Sequence, residues 1–139
     1  LYPFAEALKK MGSKNAWVIH GRDGLDEVST TTITDVVELK DGKISEFSIS
    51  PEDYGFPLVT LNQLKGGEPK ENAIAMKALL EGEKGPYYDI VVLNSAAALV
   101  GSGHERSFEN AILRSKNSID SGHALKKLDA LISISNIVE

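Results

Sequence analysis

The chain has 139 residues, with Lys+Arg 15 against Asp+Glu 20, no cysteine, 42% hydrophobic and 25% charged residues. That balance fits a single globular core, and a net charge of −5 spread along the chain argues against a nucleic-acid partner. The absence of cysteine excludes a disulfide framework, a thiolate metal site and a cysteine nucleophile, and accords with a reducing, cytoplasmic compartment; no apolar run approaches the roughly 20 residues of a membrane span.

The sequence opens at Leu1 and enters a helical pattern within a few residues, so it reads as a piece of something longer. Phe4, Ala7, Leu8 and Met11 recur at helical spacing between Pro3 and Gly12, which predicts a helix over 3–11. Ala16-Trp17-Val18-Ile19-His20 is apolar without polar alternation, the pattern of a strand buried on both faces in a parallel sheet flanked by helices. After a loop at 21–31, the β-prone runs 33–39 and 43–49 flank Asp41-Gly42, a hairpin signal because both central residues of a type I′ turn need positive φ. A two-residue turn pairs Leu39 with Ile44 and Val36 with Phe47, and sets Glu46 against Val37. Residues 50–69, punctuated by Pro51, Gly55, Pro57, Gly66, Gly67 and Pro69, form a long irregular connection of the kind found near function or along a sheet edge.

The remainder is expected to be helical. One helix covers 70–81, with Ala73, Met76 and Leu80 inward; a second covers 89–100, where the alanines that follow Ile90-Val91-Val92-Leu93 favour helix over strand. A third carries Phe108, Ala111, Ile112, Ser115 and Ile119 inward, and a fourth Ala124, Leu125, Leu128, Leu131 and Ile132. The fold expected is α/β: the C-terminal part of a helix-flanked, mainly parallel sheet with an antiparallel β-hairpin and about five helices. One buried strand and one hairpin are too little sheet for so many helices, so residues 1–139 read as a partial α/β domain whose first strands lie before Leu1. A sheet edge left open in this way makes a homo-oligomer the expected state.

The densest polar cluster is His20-Gly21-Arg22-Asp23-Gly24-Leu25-Asp26-Glu27, directly after the first strand, where open α/β sheets bind ligands. On a loop the adjacent Asp26 and Glu27 can turn toward one hard cation, and two oxygen ligands with water and substrate phosphate is a common way of holding Mg²⁺. The same pair also reads as the solvated acids of a glycine-punctuated turn. His20 reads either as a strand end bonded to the loop backbone or as an acid–base group whose partner the sequence does not name. There is no HExxH, His pair at metal spacing or EF-hand loop. Gly66-Gly67 ahead of Glu68-Pro69 reads as a turn feeding a proline-started helix, with an anion-holding helix N-terminus as the weaker alternative. Gly101-Ser102-Gly103 lacks the nucleophile-elbow pattern and reads as a helix end. Trp17 and Phe47 read as core, Tyr87-Tyr88 as an aromatic helix entry and Lys126-Lys127 as a solvated face.

Several strings taken together shift these readings. Trp17-Val18-Ile19-His20-Gly21, running into Asp23-Gly24-Leu25-Asp26-Glu27-Val28-Ser29, closely resembles the V-V-H-G-x-D-G-L-D-E-x-S segment of the anthranilate phosphoribosyltransferase family. So do Glu52-Asp53-Tyr54-Gly55-Phe56, the stretch from Leu64 to Ala73, Leu93-Asn94-Ser95-Ala96-Ala97-Ala98-Leu99 and Ser118-Ile119-Asp120-Ser121-Gly122-His123-Ala124, in order and over nearly the whole chain. The resemblance implies the C-terminal part of a glycosyltransferase family 3, nucleoside-phosphorylase-like α/β domain. It implies a role in tryptophan biosynthesis, in which the anthranilate amine attacks the ribose anomeric carbon of phosphoribosyl pyrophosphate, pyrophosphate departs and Mg²⁺ neutralises its charge. By the same resemblance Asp26 and Glu27 help to bind that magnesium, whereas His20, Gly66, Gly67 and Asn72 match family positions without an assigned role. The family's glycine-rich pyrophosphate loop, its Lys-x-x-x-x-Gly-Asn stretch, its anthranilate contacts and its helical dimerisation domain all lie upstream of the matched segment. The 139 residues alone are therefore expected to be inactive. Two alternatives share the architecture: a pyrimidine nucleoside phosphorylase, against which the full Asp-Gly-Leu-Asp-Glu string argues, and a DNA-binding paralogue without transferase activity, against which the net charge of −5 argues.

Overall fold

The Asp41-Gly42 turn organises the sheet. Asp41 sits at φ 48 and Gly42 at φ 77, the left-handed conformations that a type I′ connection demands. In the computed structural model, which describes residues 1–136, it joins β2 (Thr34–Lys40) to β3 (Lys43–Ile49) with Leu39 opposite Ile44, Val36 opposite Phe47 and Val37 opposite Glu46, the register expected. The first strand, β1 (Asn15–Gly21), pairs with the other side of β2, from Asn15↔Lys40 to Gly21↔Thr34. Both pairings are antiparallel and the order is β1-β2-β3.

Of two expectations here, the first is not shown and the second fails. The mainly parallel arrangement finds no parallel pair among the described residues, and β1 is half-buried rather than covered on both faces. The reason is that the apolar run answers to its neighbours, not to strand direction. The first helix, α1 (Tyr2–Lys10), and the long helix α4 (Pro86–Gly101) both pack on β1. Trp17 lies edge-on to Phe47 with centroids 5.3 Å apart and tilted against Phe108 at 5.8 Å. A Cβ added at Gly101 would stand 3.2 Å from the Trp17 side chain, so α4 approaches this closely only because it ends on a glycine. Phe47 keeps 40% of its surface exposed although it packs on Trp17.

Helix α4 is the centre of the molecule. Val92, Leu93 and Ala96 are fully buried, and Tyr88 is 4% exposed at the aromatic helix entry. This mostly apolar segment forms a helix because its alanines favour one, and their small side chains let a neighbouring helix pack on it. That neighbour is α5 (Phe108–Asp120), where Phe108, Ala111, Ile112, Ser115 and Ile119 are all buried as the periodicity predicts. Ser107 caps α5 by accepting from the Asn110 N–H.

The long connection carries a 3₁₀ turn at Pro51–Tyr54 and a short helix, α2 (Leu61–Leu64), with Phe56 buried and the Val59 N–H donating to the Thr30 carbonyl at 3.0 Å. It leads into α3 (Pro69–Leu80), where Leu79 is buried and Leu80 packs half-buried against the core as expected, while Ala73 and Met76 are exposed. Apolar residues run almost all round α3, so spacing alone did not select its buried face. The last helix, α6 (His123–Ser135), buries no residue fully: Ala124, Leu125 and Leu128 are half-covered, while Leu131 is 63% and Ile132 51% exposed. The described helices therefore number six, one more than expected, and none of them is long and apolar enough to cross a membrane.

Truncating the centre should be costly. Leu93→Ala is expected to lower the unfolding free energy by about 2–5 kcal/mol, whereas Lys126→Ala on the exposed side of α6 should change it by less than about 0.5 kcal/mol. Urea titration of both variants measures the contrast.

Candidate functional site

The loop that leaves β1 is shaped by its own side chains. The Gly21 N–H donates to the Leu25 carbonyl at 2.8 Å and the Gly24 N–H to the Gly21 carbonyl at 2.9 Å, with Gly24 at φ 98. A Cβ at Gly21 would lie 2.5 Å from Asp23 Oδ1, so glycine is required where the chain folds over that carboxylate. Asp23 accepts from the Leu25 N–H at 3.0 Å, from Ser29 Oγ at 2.5 Å and from Thr31 Oγ1. Burial pushes the Asp23 carboxyl up, but the hydrogen bonds from Ser29, Thr31 and Leu25 together outweigh it and hold the group below its ordinary value. Beside it, Arg22 grips Asp35 of β2 through Nε at 3.0 Å and Nη2 at 2.8 Å, which also holds the Asp35 carboxyl low.

On the far side of the acidic pair, Asn94 of α4 holds the backbone of Val28. The Val28 N–H donates to Asn94 Oδ1 at 2.8 Å, and Asn94 Nδ2 donates to the Val28 carbonyl at 2.9 Å and to the Ile90 carbonyl at 2.9 Å. Asp26 and Glu27 thus stand between two anchors, the Asp23 network and the Asn94 amide.

Both carboxylates are exposed, and no ion pair among the described residues uses either of them. The acids of the cluster therefore divide into two kinds. Asp23 and Asp35 are consumed in holding the loop, while Asp26 and Glu27 remain free to meet a cation. Among the described residues no group of three or more His, Asp or Glu side chains could enclose a metal. An adjacent exposed pair supplies two oxygen donors, a number with which Mg²⁺ can be held when waters and phosphate complete its shell. Glu27 also lines a cavity of about 380 Å³ together with Leu25, Leu61, Lys65, Tyr87 and Ile90.

The other candidates take structural places. His20 is exposed opposite Asp35, and the strand is closed by the Gly21 N–H rather than by the imidazole. Asn72 brackets the glycine turn: the Gly67 N–H donates to Asn72 Oδ1 at 2.8 Å, and Asn72 Nδ2 donates to the Gly67 carbonyl at 2.9 Å. The Gly67 amide is thereby spent inside the turn, which disposes of the anion-binding alternative at that group. Gly101-Ser102-Gly103 ends α4, with Gly103 at φ 77. Reading residue types singled out neither Asp23 as an anchor nor Asn94 as a clasp. The available signals were the Ser29 and Thr31 hydroxyls placed to turn back on Asp23, and the single amide side chain of a mostly apolar helix.

An α/β domain with an acidic loop at the end of its first strand is the class that the geometry defines. Residues 1–125 match the family model described as glycosyl transferase family, a/b domain, and the chain belongs to that family. It is 48% identical over 134 residues to the anthranilate phosphoribosyltransferase of Parvibaculum lavamentivorans and 47% identical over 133 residues to that of Rhodopseudomonas palustris. Each match covers 96% of the chain and 39% of the relative, so the chain spans about two-fifths of their length. Among solved structures, anthranilate phosphoribosyltransferase from Thermus thermophilus superposes with a TM-score of 0.85 at 34% identity, over 96% of this chain and 39% of that one. The Saccharomyces cerevisiae enzyme in complex with PRPP and Mg superposes with a TM-score of 0.84 at 28% identity, over 96% of this chain and 39% of that one.

The depressed pKa of Asp23 carries a sign. A carboxyl lowered on folding contributes stability that is present above its unfolded value, near 3.8, and is lost as pH falls through the folded value. Urea unfolding of the protein measured from about pH 6 down to about pH 3 should show stability declining below about pH 5, and Asp23→Asn should flatten part of that decline.

Proposed function

We propose that the chain is the segment of an anthranilate phosphoribosyltransferase that presents the metal-holding loop. The whole protein would join the anthranilate amine to the anomeric carbon of phosphoribosyl pyrophosphate, breaking the bond to pyrophosphate and releasing a proton from the amine. The observation that carries this reading is the Asp26-Glu27 pair, uncompensated on a loop whose neighbouring acids are already engaged, in a chain 48% identical to such an enzyme over 134 residues. The named relatives are all anthranilate phosphoribosyltransferases, and nothing in the site favours a nucleoside phosphorylase or a DNA-binding protein.

In this reading Asp26 and Glu27 hold Mg²⁺, which when bound offsets the charge growing on the leaving pyrophosphate. The chain's own part is positional. Asp23, Ser29 and Thr31 fix the near side of the loop, Arg22 and Asp35 tie it to β2, and the two free carboxylates face outward without a competing cation. The cavity beside Glu27 would adjoin the diphosphate end of the substrate, with Lys65 supplying the cation on its wall. The remaining substrate contacts, and the parallel strands that extend this antiparallel sheet into a mainly parallel one, belong to the rest of the full-length protein. A cytoplasmic homo-oligomer is part of the same proposal.

In the full-length enzyme, Asp26→Asn and Glu27→Gln should each shift the magnesium titration of activity to at least about tenfold higher concentration, with unfolding stability unchanged within about 0.5 kcal/mol. A wild-type magnesium response in both variants would remove the assignment. The 139-residue chain assayed alone should show no turnover, and measurable product from it would contradict the placing of the other contacts.

A further inference from the structure

We propose that Asn94 is the positioning residue of the acidic loop: by clasping both backbone groups of Val28, its amide sets the affinity of Asp26 and Glu27 for a divalent cation. This rests on the reading of those two residues as magnesium ligands and names the residue that sets their geometry.

The physical argument begins with what the pair must overcome. Two adjacent carboxylates repel each other, and an exposed loop gives each many orientations, so turning both to one ion costs entropy and electrostatic energy unless the backbone is already held. The near side of the loop is held several times over, through Asp23 and its three donors. The residue directly after Glu27 is Val28, whose side chain is fully buried and whose N–H and carbonyl both go to Asn94. Asn94 in turn donates to the Ile90 carbonyl one turn back on its own helix, which locks the amide against rotation. Its neighbours Leu93 and Ala96 are both fully buried, so the clasp is mounted on the packed core of the helix.

No other side chain of this reach makes both bonds. Accepting one N–H while donating to two carbonyls takes the oxygen and both hydrogens of an amide; a hydroxyl has one hydrogen to give, an ionised aspartate cannot donate, leucine does neither, and glutamine is a methylene too long. An amide in this position is the outer partner of a metal site in function, acting through the backbone rather than through a ligand atom. Coupling of this kind is reciprocal: if the clasp favours cation binding, the bound cation must favour the clasp.

The test uses the full-length protein, with Mn²⁺ as the probe and binding read from the electron paramagnetic resonance of the free ion. Asn94→Leu and Asn94→Ala should each raise the Mn²⁺ dissociation constant by about tenfold. Leu93→Ala, which destabilises the same helix without removing either hydrogen bond of the clasp, should leave it unchanged. In the wild type, saturating Mg²⁺ should slow hydrogen exchange at the Val28 amide, a readout that needs no variant to fold. An unchanged dissociation constant in both Asn94 variants, an equal loss in Leu93→Ala, or unaltered Val28 exchange overturns the role of Asn94 while Asp26→Asn and Glu27→Gln still weaken binding. If neither of those two carboxylate variants affects Mn²⁺ binding, this inference falls together with the reading beneath it.

Discussion

One amide inside a mostly apolar helix connects the core of this protein to its acidic loop. Helix α4 is buried along most of its length, and Asn94 is the point at which that burial is turned into a fixed backbone position beside Asp26 and Glu27. A polar side chain on such a helix is tolerable only when its hydrogen bonds are made, and Asn94 makes three. The packing of α4 against α5, and of Gly101 against Trp17, therefore does more than exclude water. It determines where a surface loop runs.

The charges around that loop are divided by function. Arg22 and Asp35 neutralise one another across β1 and β2, and Asp23 is surrounded by hydroxyl and amide donors. Two carboxylates next to each other in the sequence, Asp26 and Glu27, are exposed and make no ion pair among the described residues.

The chain belongs to the glycosyl transferase a/b family and covers 39% of its named relatives, and its three-stranded sheet accompanies a helical layer centred on α4 and α5. The three strands meet helices on the side of β1 and α4, and α3 and α6 present apolar residues such as Ile74 and Leu131 to the outside. The local folding rules are satisfied throughout: the type I′ turn, the Ser107 cap, the proline-started helices and the amide-bracketed Gly66-Gly67 turn all need only their near neighbours.

That distinction separates what was legible from what was not. Residues 33–49 determined their own hairpin and register, because Asp41-Gly42 admits few turns and a slip of one residue would reverse every side chain. The buried face of α5 was equally legible, since its apolar residues form one stripe, and the strings around Asp26 and Glu27 pointed to the acidic loop before any fold was in hand. The direction of β1, the inward face of α3 and the exposed end of α6 were decided only in three dimensions. An apolar run records how much of a segment is covered but not by which partner or from which direction. For the same reason the sequence by itself identified the two carboxylates, while only the tertiary structure brought Asn94, 66 residues further along the chain from Val28, to the backbone that holds them.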